Sequence, residues 1–235
     1  METVEAVVLA GGKGTRLLPY TAELPKPLAP VGDRPIIEYL LLRMKKCGVR
    51  KVHLAVNHLA HLIMATLGDG GHLGLTLSYS HEKTPLSTIG PLTLINDLPE
   101  QFVVANGDVL SDIDFQVLFD HHASSGALVT VATQRRTTRI DYGVLEVNDA
   151  DRIVGFQEKP AYSLAVSMGI YVFSRQVLKF VPSRQRFGFD DLMRTLLKQG
   201  QRINAYQYDG FWLDIGQPED YERASREIDR IRQFI

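Results

Sequence analysis

Apolar residues follow two rhythms along this chain of 235 residues, and the rhythm changes near the middle. Residues 4–10 (VEAVVLA) form a short apolar run ended by Gly11-Gly12, the pattern of a buried strand. Residues 35–47 space their apolar positions three and four apart, with Pro35 at a first helical position and Gly48 behind, and predict a helix. The same reading predicts strands over 50–56, 73–79, 102–105 and 127–132, with helices over 59–67 and 115–122. Strand alternating with helix predicts a doubly wound, Rossmann-like α/β domain on a mixed, mainly parallel sheet.

Downstream, 143–147 and 153–157 flank the polar turn Asn148-Asp149-Ala150-Asp151 and predict a hairpin. Strands over 167–173 and 203–208 and a helix over 189–199 follow, then one long charged helix over 218–235 opened by Pro218. No repeat, low-complexity tract or linker interrupts the chain, so a single domain over 1–235 is expected. Ligands of open α/β sheets bind outside the carboxyl ends of the strands. Gly11-Gly12 and Asn106-Gly107-Asp108 both fall at such ends, which predicts one shared site.

Composition narrows the function. A hydrophobic share of 45% and a charged share of 23% are ordinary for a globular domain. A net charge of −1 argues against a general nucleic-acid or membrane-surface binder. Cys47 is the only cysteine; its apolar surroundings suggest a small core residue, and no disulfide or zinc spacing exists. Neither a signal-peptide pattern nor a run of 18 apolar residues is present, so a cytoplasmic setting is expected. The seven histidines show no metal spacing, and His121-His122, at a helix end, read as surface polar residues.

The loop over 9–30 (LAGGKGTRLLPYTAELPKPLAP) raises the question of chemistry. Glycines let main-chain N–H groups approach an anion. The loop matches neither GxGxxG nor GxxxxGK[ST], and a plain turn with surface cations is the alternative reading. Pro25 and Pro27 restrict where Lys26 can point, which suits a positioned cation better than a solvated one. Arg16 and Lys26 on one loop could grip the phosphates of a nucleotide.

This opening stretch resembles that of the sugar-1-phosphate nucleotidylyltransferases. The resemblance continues in order through Asn106-Gly107-Asp108, DYGVLEV (141–147), FQEKP (156–160), GIYVF (169–173) and WLDIGQPEDY (212–221). In look the chain is nearest to short mannose- or heptose-1-phosphate guanylyltransferase-like members. The resemblance implies transfer of a nucleoside monophosphate from an NTP to a sugar 1-phosphate, with Mg²⁺ and release of pyrophosphate. It implies catalytic roles for Arg16, Lys26 and Asp108, and Mg²⁺ ligation by Asp108 and Asp214. The nucleotide would be bound by Leu9, Ala10, Gly11, Gly12, Gly14, Thr15, Arg16, Lys26 and Gly107, with Glu82, Pro85, Leu86, Ser87 and Thr88 at the base. The sugar phosphate would meet Asn106, Tyr142, Gly143, Glu158, Lys159 and Gly169. The domain would thus divide into a nucleotide-binding half, 1–135, and a sugar-phosphate half, 136–235, with an inserted sugar-binding β region.

The chemistry agrees. A phosphate monoester has a second pKa of about 6, so the nucleophile needs no general base. What remains is to position two polyanions and neutralise them.

Departures from the family pattern bear on substrate choice. Relatives commonly carry PLGTAG where this chain has Pro85-Leu86-Ser87-Thr88-Ile89-Gly90, which adds volume near the base and sugar. Gln217 and Ser167-Met168 also replace common residues, and no C-terminal β-helix of the acyltransferase-bearing kind is expected. Glu82, in a stretch resembling guanylyl-transferring members, could accept two hydrogen bonds from guanine, which favours GTP. UTP- or CTP-dependent transfer, cytidylyl transfer to a phospho-alcohol, a related glycosyltransferase and a non-catalytic nucleotide-sugar-binding subunit are the alternatives. A monomer or homodimer is expected.

Overall fold

The strand Glu5–Ala10 lies between two parallel neighbours, Lys51–Val56 and Gln101–Asn106. The computed structural model describes residues 4–12, 14, 17 and 23–235. Thr76–His81 extends the sheet in parallel beyond Lys51–Val56. On the other side Ala161–Ser174 runs antiparallel to Gln101–Asn106, Val129–Arg139 runs antiparallel to it, and Ile203–Gln207 closes that edge in parallel. Seven strands with four parallel pairings among six make the sheet mixed and mainly parallel, as the alternation of elements predicts.

The strands bury both faces. Ala6 and Val8 pack with Ile37, Met44, Ile63 and Leu118 from the helices Ile36–Lys46, Ala60–Leu67 and Phe115–Ser125. Val7 and Val104 face the opposite layer, where Leu92, Leu192 and Leu196 come from the 3₁₀ turn Gly90–Leu94 and the helix Phe189–Lys198. This double cover explains why these strands read as continuous apolar runs. A third cluster joins Leu17, Tyr39, Leu110, Phe211, Leu213 and Ile231, sealing the C-terminal segment against the start of the chain.

Several elements depart from expectation. The third strand starts at Thr76, because Gly70 and Gly74 adopt positive φ around a 3₁₀ turn, Gly71–Leu73. Val129–Arg139 and Ala161–Ser174 run well beyond their apolar cores and pair along 133–139 and 161–167 as an exposed two-stranded arm. Its outgoing strand, 133–139, is polar throughout, and Tyr162 and Leu164 on the returning strand are exposed, so no buried face marks the arm. The expected helix over 218–235 is two, Pro218–Arg226 and Ile228–Gln233, broken at Glu227. The break lets Ala224 and Ile231 both enter the third cluster. The predicted hairpin forms, as Val144–Val147 with Ile153–Gln157.

His122 is a correction. It is fully buried, not a surface group, with Nδ1 2.8 Å from Thr130 Oγ1 and Nε2 3.1 Å from Ser174 Oγ. A helix end that packs on the sheet can bury a polar ring when both nitrogens find partners. Cys47, expected in the core, is half-buried and packs against the first core cluster, and burial pushes its thiol pKa up, away from the reactive range.

Candidate active site

Three parallel strands end together here. The Gly107 N–H donates to the Leu9 carbonyl at 2.9 Å, so the turns after Glu5–Ala10 and Gln101–Asn106 lie side by side. Beside them opens a cleft of about 370 Å³, whose lining includes Leu9, Ala10, Gly11, Gly12, Asn106 and Asp108. Lys26, Glu82, Pro85, Ser87 and Thr88 line the same cleft. One cavity therefore gathers residues that the sequence distributes over a hundred positions. Thr15 and Arg16 lie outside the described residues. Gly14 has φ +63°, and its carbonyl accepts the Leu17 N–H at 2.9 Å.

Lys26 is placed by its own turn. Pro25, at φ −65°, precedes the 3₁₀ turn Lys26–Leu28, and the Leu28 N–H returns to the Pro25 carbonyl at 2.8 Å. The residue is only 8% exposed, and its side chain forms an ion pair with Asp108 Oδ2. The other oxygen, Asp108 Oδ1, is buried and has no hydrogen-bond partner among the described residues. Such an orphaned carboxylate oxygen costs free energy unless a donor or cation meets it.

Asp214 arrives from the far end of the chain. Its strand, Trp212–Asp214, runs antiparallel to Val109–Ser111, with Asp214 opposite Val109. The Ile215 N–H donates to the Asp108 carbonyl at 3.1 Å, which ties the two aspartates together through the backbone. Tyr171 senses both: burial raises its hydroxyl pKa, and the carboxylates of Asp214 and Asp108 add to that rise against a hydrogen bond with Ser167. Among the described residues no three or more of His, Cys, Asp and Glu cluster as a metal cage. One or two carboxylates are what Mg²⁺ usually takes when phosphates and water complete its shell. The orphaned Oδ1 and the neighbouring Asp214 fit that ion.

Glu82 is 5% exposed, and burial raises its pKa. Its Oε2 accepts the Leu86 N–H at 2.8 Å, so the carboxylate first serves to shape the turn over 82–86. A Cβ on Gly11 would lie 2.9 Å from Glu82 Oε1, which is why the cleft floor needs a glycine there. Ser87 adopts φ +66°, the left-handed region that a glycine would occupy without strain.

The expected sugar residues are less gathered. Gly169, at φ +70°, lies against Asn106, and a Cβ there would come 2.6 Å from Asn106 Nδ2. Gly143 sits beside Phe156 and Glu158, at the hairpin. Tyr142, Glu158 and Lys159 are exposed, Tyr142 at 78%. Asp214 lines a second cleft of about 380 Å³ with Arg136, Trp212, Asp220 and Arg223.

The sequence reading passed over Asn57. It lines the first cleft and donates from Nδ2 to the Glu82 carbonyl at 3.1 Å. The signal was available: Asn57 directly follows the strand Lys51–Val56, at its carboxyl end.

A family model described as nucleotidyl transferase matches residues 5–230. A mannose-1-phosphate guanylyltransferase of Mycobacterium tuberculosis is 36% identical, covering 97% of this chain and 65% of that protein. A UTP–glucose-1-phosphate uridylyltransferase of Synechocystis is 34% identical over 96% of this chain and 63% of its own length. The chain thus spans a little under two thirds of these curated relatives. The crystal structure of HddC from Yersinia pseudotuberculosis shares the fold with a TM-score of 0.75 at 23% identity, covering 96% of this chain and 99% of that one.

Proposed function

The chain belongs to the nucleotidyl transferase family, and from that premise we propose that it moves a nucleoside monophosphate from an NTP to a sugar 1-phosphate, releasing pyrophosphate. The observation that carries this reading is the buried Lys26–Asp108 pair, with Asp108 Oδ1 unpartnered, where two glycine-bordered strand ends meet.

The roles follow from charge. The acceptor is a dianion attacking a phosphorus already surrounded by negative oxygens, so the site has to hold cations where charge accumulates. Lys26, fixed by its turn and by Asp108, neutralises the phosphoryl group under attack, and Arg16 is proposed beside it. Gly11, Gly12 and Gly14 would offer main-chain N–H groups to the triphosphate, while Leu9, Ala10, Gly107 and the 85–88 turn would enclose the nucleoside, with Thr15 as a further proposed nucleotide-binding residue. Asp108 and Asp214 would hold Mg²⁺, which would supply neutralisation of the phosphate charge. Asn106, Gly169, Gly143 and Tyr142 would face the sugar, with Glu158 on its hydroxyls and Lys159 on its phosphate. In this reading 1–135 serves the nucleotide and 136–235 the acceptor.

GTP with a manno-type hexose or heptose 1-phosphate is the proposed pair. The guanylyltransferase relative and the position of Glu82 in the cleft support it. The uridylyltransferase relative supports a second reading, UTP with glucose 1-phosphate, in which the Ser87 hydroxyl would serve a pyrimidine carbonyl. No helix among the described residues is long and apolar enough to cross a membrane. A cytoplasmic monomer or homodimer, without nucleic-acid or membrane partners, completes the proposal. A matrix of five nucleoside triphosphates against a panel of sugar 1-phosphates, read by pyrophosphate release with Mg²⁺, tests it. The largest kcat/KM is expected for GTP with mannose 1-phosphate or a manno-heptose 1-phosphate. Release with no pair at all would overturn the activity.

A further inference from the structure

The second cleft includes Asp214 in its wall but not Asp108, and its charged side chains are unequally engaged. Asp220 Oδ2 accepts the N–H groups of Gly216 and Gln217 at 3.3 and 3.1 Å, so it caps the helix Pro218–Arg226. Arg223 donates from Nε to Glu227 Oε1 at 2.7 Å. Arg136 is different. Its guanidinium carbon lies 4.9 Å from the centroid of the Trp212 ring, and among the described residues its side chain makes no hydrogen bond or ion pair.

This cation–π contact tethers the Arg136 side chain to a fixed ring. Trp212 is itself held, its Nε1–H donating to the Met168 carbonyl at 2.9 Å. Trp212 and Asp214 are two residues apart on one strand, so their side chains leave the same face. A guanidinium held over the indole with no other side-chain partner has its N–H groups uncommitted, and its fork matches the paired oxygens of a phosphate. Val166 completes an apolar wall beside it.

We propose that Arg136 is a phosphate-binding residue of this second cleft, receiving a phosphoryl group beside Asp214. The inference rests on the nucleotidyl-transfer reading, in which two phosphates pass the aspartate pair. One is the monoester of the acceptor; the other is the pyrophosphate that leaves. Both are multiply charged anions that an arginine fork can hold, and the two sources separate by experiment.

The test compares wild type with Arg136→Ala and Arg136→Lys, each checked by thermal melting. Steady-state rates give KM for sugar 1-phosphate and for nucleotide, and product inhibition gives Ki for pyrophosphate. Calorimetric titration of pyrophosphate and of mannose 1-phosphate, with Mg²⁺ present, reports binding independently of turnover. Arg136→Ala is expected to weaken one phosphate ligand by roughly tenfold to a hundredfold, the scale of hydrogen bonds to a charged group. Nucleotide KM should stay within about twofold of wild type, and Arg136→Lys should restore only part of the loss, since an ammonium lacks the fork. A rise in sugar 1-phosphate KM identifies the acceptor as the source; a rise in pyrophosphate Ki identifies the leaving group. If neither ligand's binding changes more than twofold in a folded Arg136→Ala protein, the assignment is overturned. Should the wild type release no pyrophosphate with any substrate pair while titration still shows the Arg136→Ala loss, the reaction reading fails and the phosphate site stands.

Discussion

Lys26 and Lys159 both stand directly before a proline in this chain, and the fold treats them in opposite ways. Lys26 is 8% exposed, aimed by a 3₁₀ turn and ion-paired to Asp108. Lys159 is exposed at φ +43°, at the root of a two-stranded hairpin. Around Lys26 stand Asp108 and a Glu82 only 5% exposed; on the hairpin Phe156 is 62% exposed and Leu145 51%. A hairpin of two strands is marginal in water without something to pack on. In the proposed reaction the Lys26 side would be the nucleotide wall and the hairpin side the acceptor wall. The contrast teaches that the first is built by burial, whereas the second stands exposed.

The largest expected effect tests the finished wall. Asp108→Asn or Asp214→Asn should lower kcat by at least about a hundredfold, the scale of losing one electrostatic stabiliser. Asp214 is exposed, so its variant should melt close to wild type and isolates the chemical loss. Near-normal pyrophosphate release by both variants at saturating Mg²⁺ would remove the two aspartates from the reaction.

Acid should separate the two walls. His122 bridges Thr130 and Ser174, the roots of the two strands that run out as the arm. Burial, with a smaller contribution from His121, lowers its pKa from 6.5 to about 4. A depressed folded pKa means the unfolded chain takes the proton first. His122 thus contributes stability that is present above pH 6.5 and lost as pH falls toward 4. At about 1.36 kcal/mol per pKa unit the loss is about 2 kcal/mol at pH 5. Denaturant unfolding at pH 7 and pH 5 should show this loss in wild type and much less of it in His122→Gln. Equal losses in both proteins would remove the histidine from the acid response.

A smaller effect concerns order of assembly. Sugar 1-phosphate should bind about tenfold more weakly to the free protein than to the protein holding nucleotide, because bound nucleotide would supply part of the acceptor's surroundings beside the exposed hairpin. Titration with a non-reacting nucleotide analogue present and absent measures the ratio. Equal affinities would place both walls in the same class.

The smallest effect lies within the nucleotide wall. Ser87→Gly relieves a left-handed backbone at a cost of glycine entropy, for a net gain of about 1 kcal/mol or less. For a chain of this size that is a rise in Tm of about 2–4 °C. A fall in Tm would mean that the serine side chain holds the 85–88 turn in place.

The sequence by itself determined the alternating elements, the glycine-rich strand ends and the use of Lys26 between two prolines. Each of these is written within a short window, where hydrophobic period, glycine and proline act directly on the backbone. Tertiary structure decided what the windows could not contain. Asp108 and Asp214 come close along the backbone only because Trp212–Asp214 pairs with Val109–Ser111, a long-range bridge of three residues too short to leave a period. His122 reads as a polar helix end until Thr130 and Ser174 supply partners for both nitrogens. In the arm, 133–139 is polar throughout and has no buried face, so nothing in its own pattern marks its length, and only pairing with 161–167 reveals it. Arg136 is one arginine among many in the sequence; packing alone sets it on Trp212, beside the second aspartate. Local propensity is legible because it acts between neighbours, whereas a site is assembled by contacts whose partners are far apart in the chain.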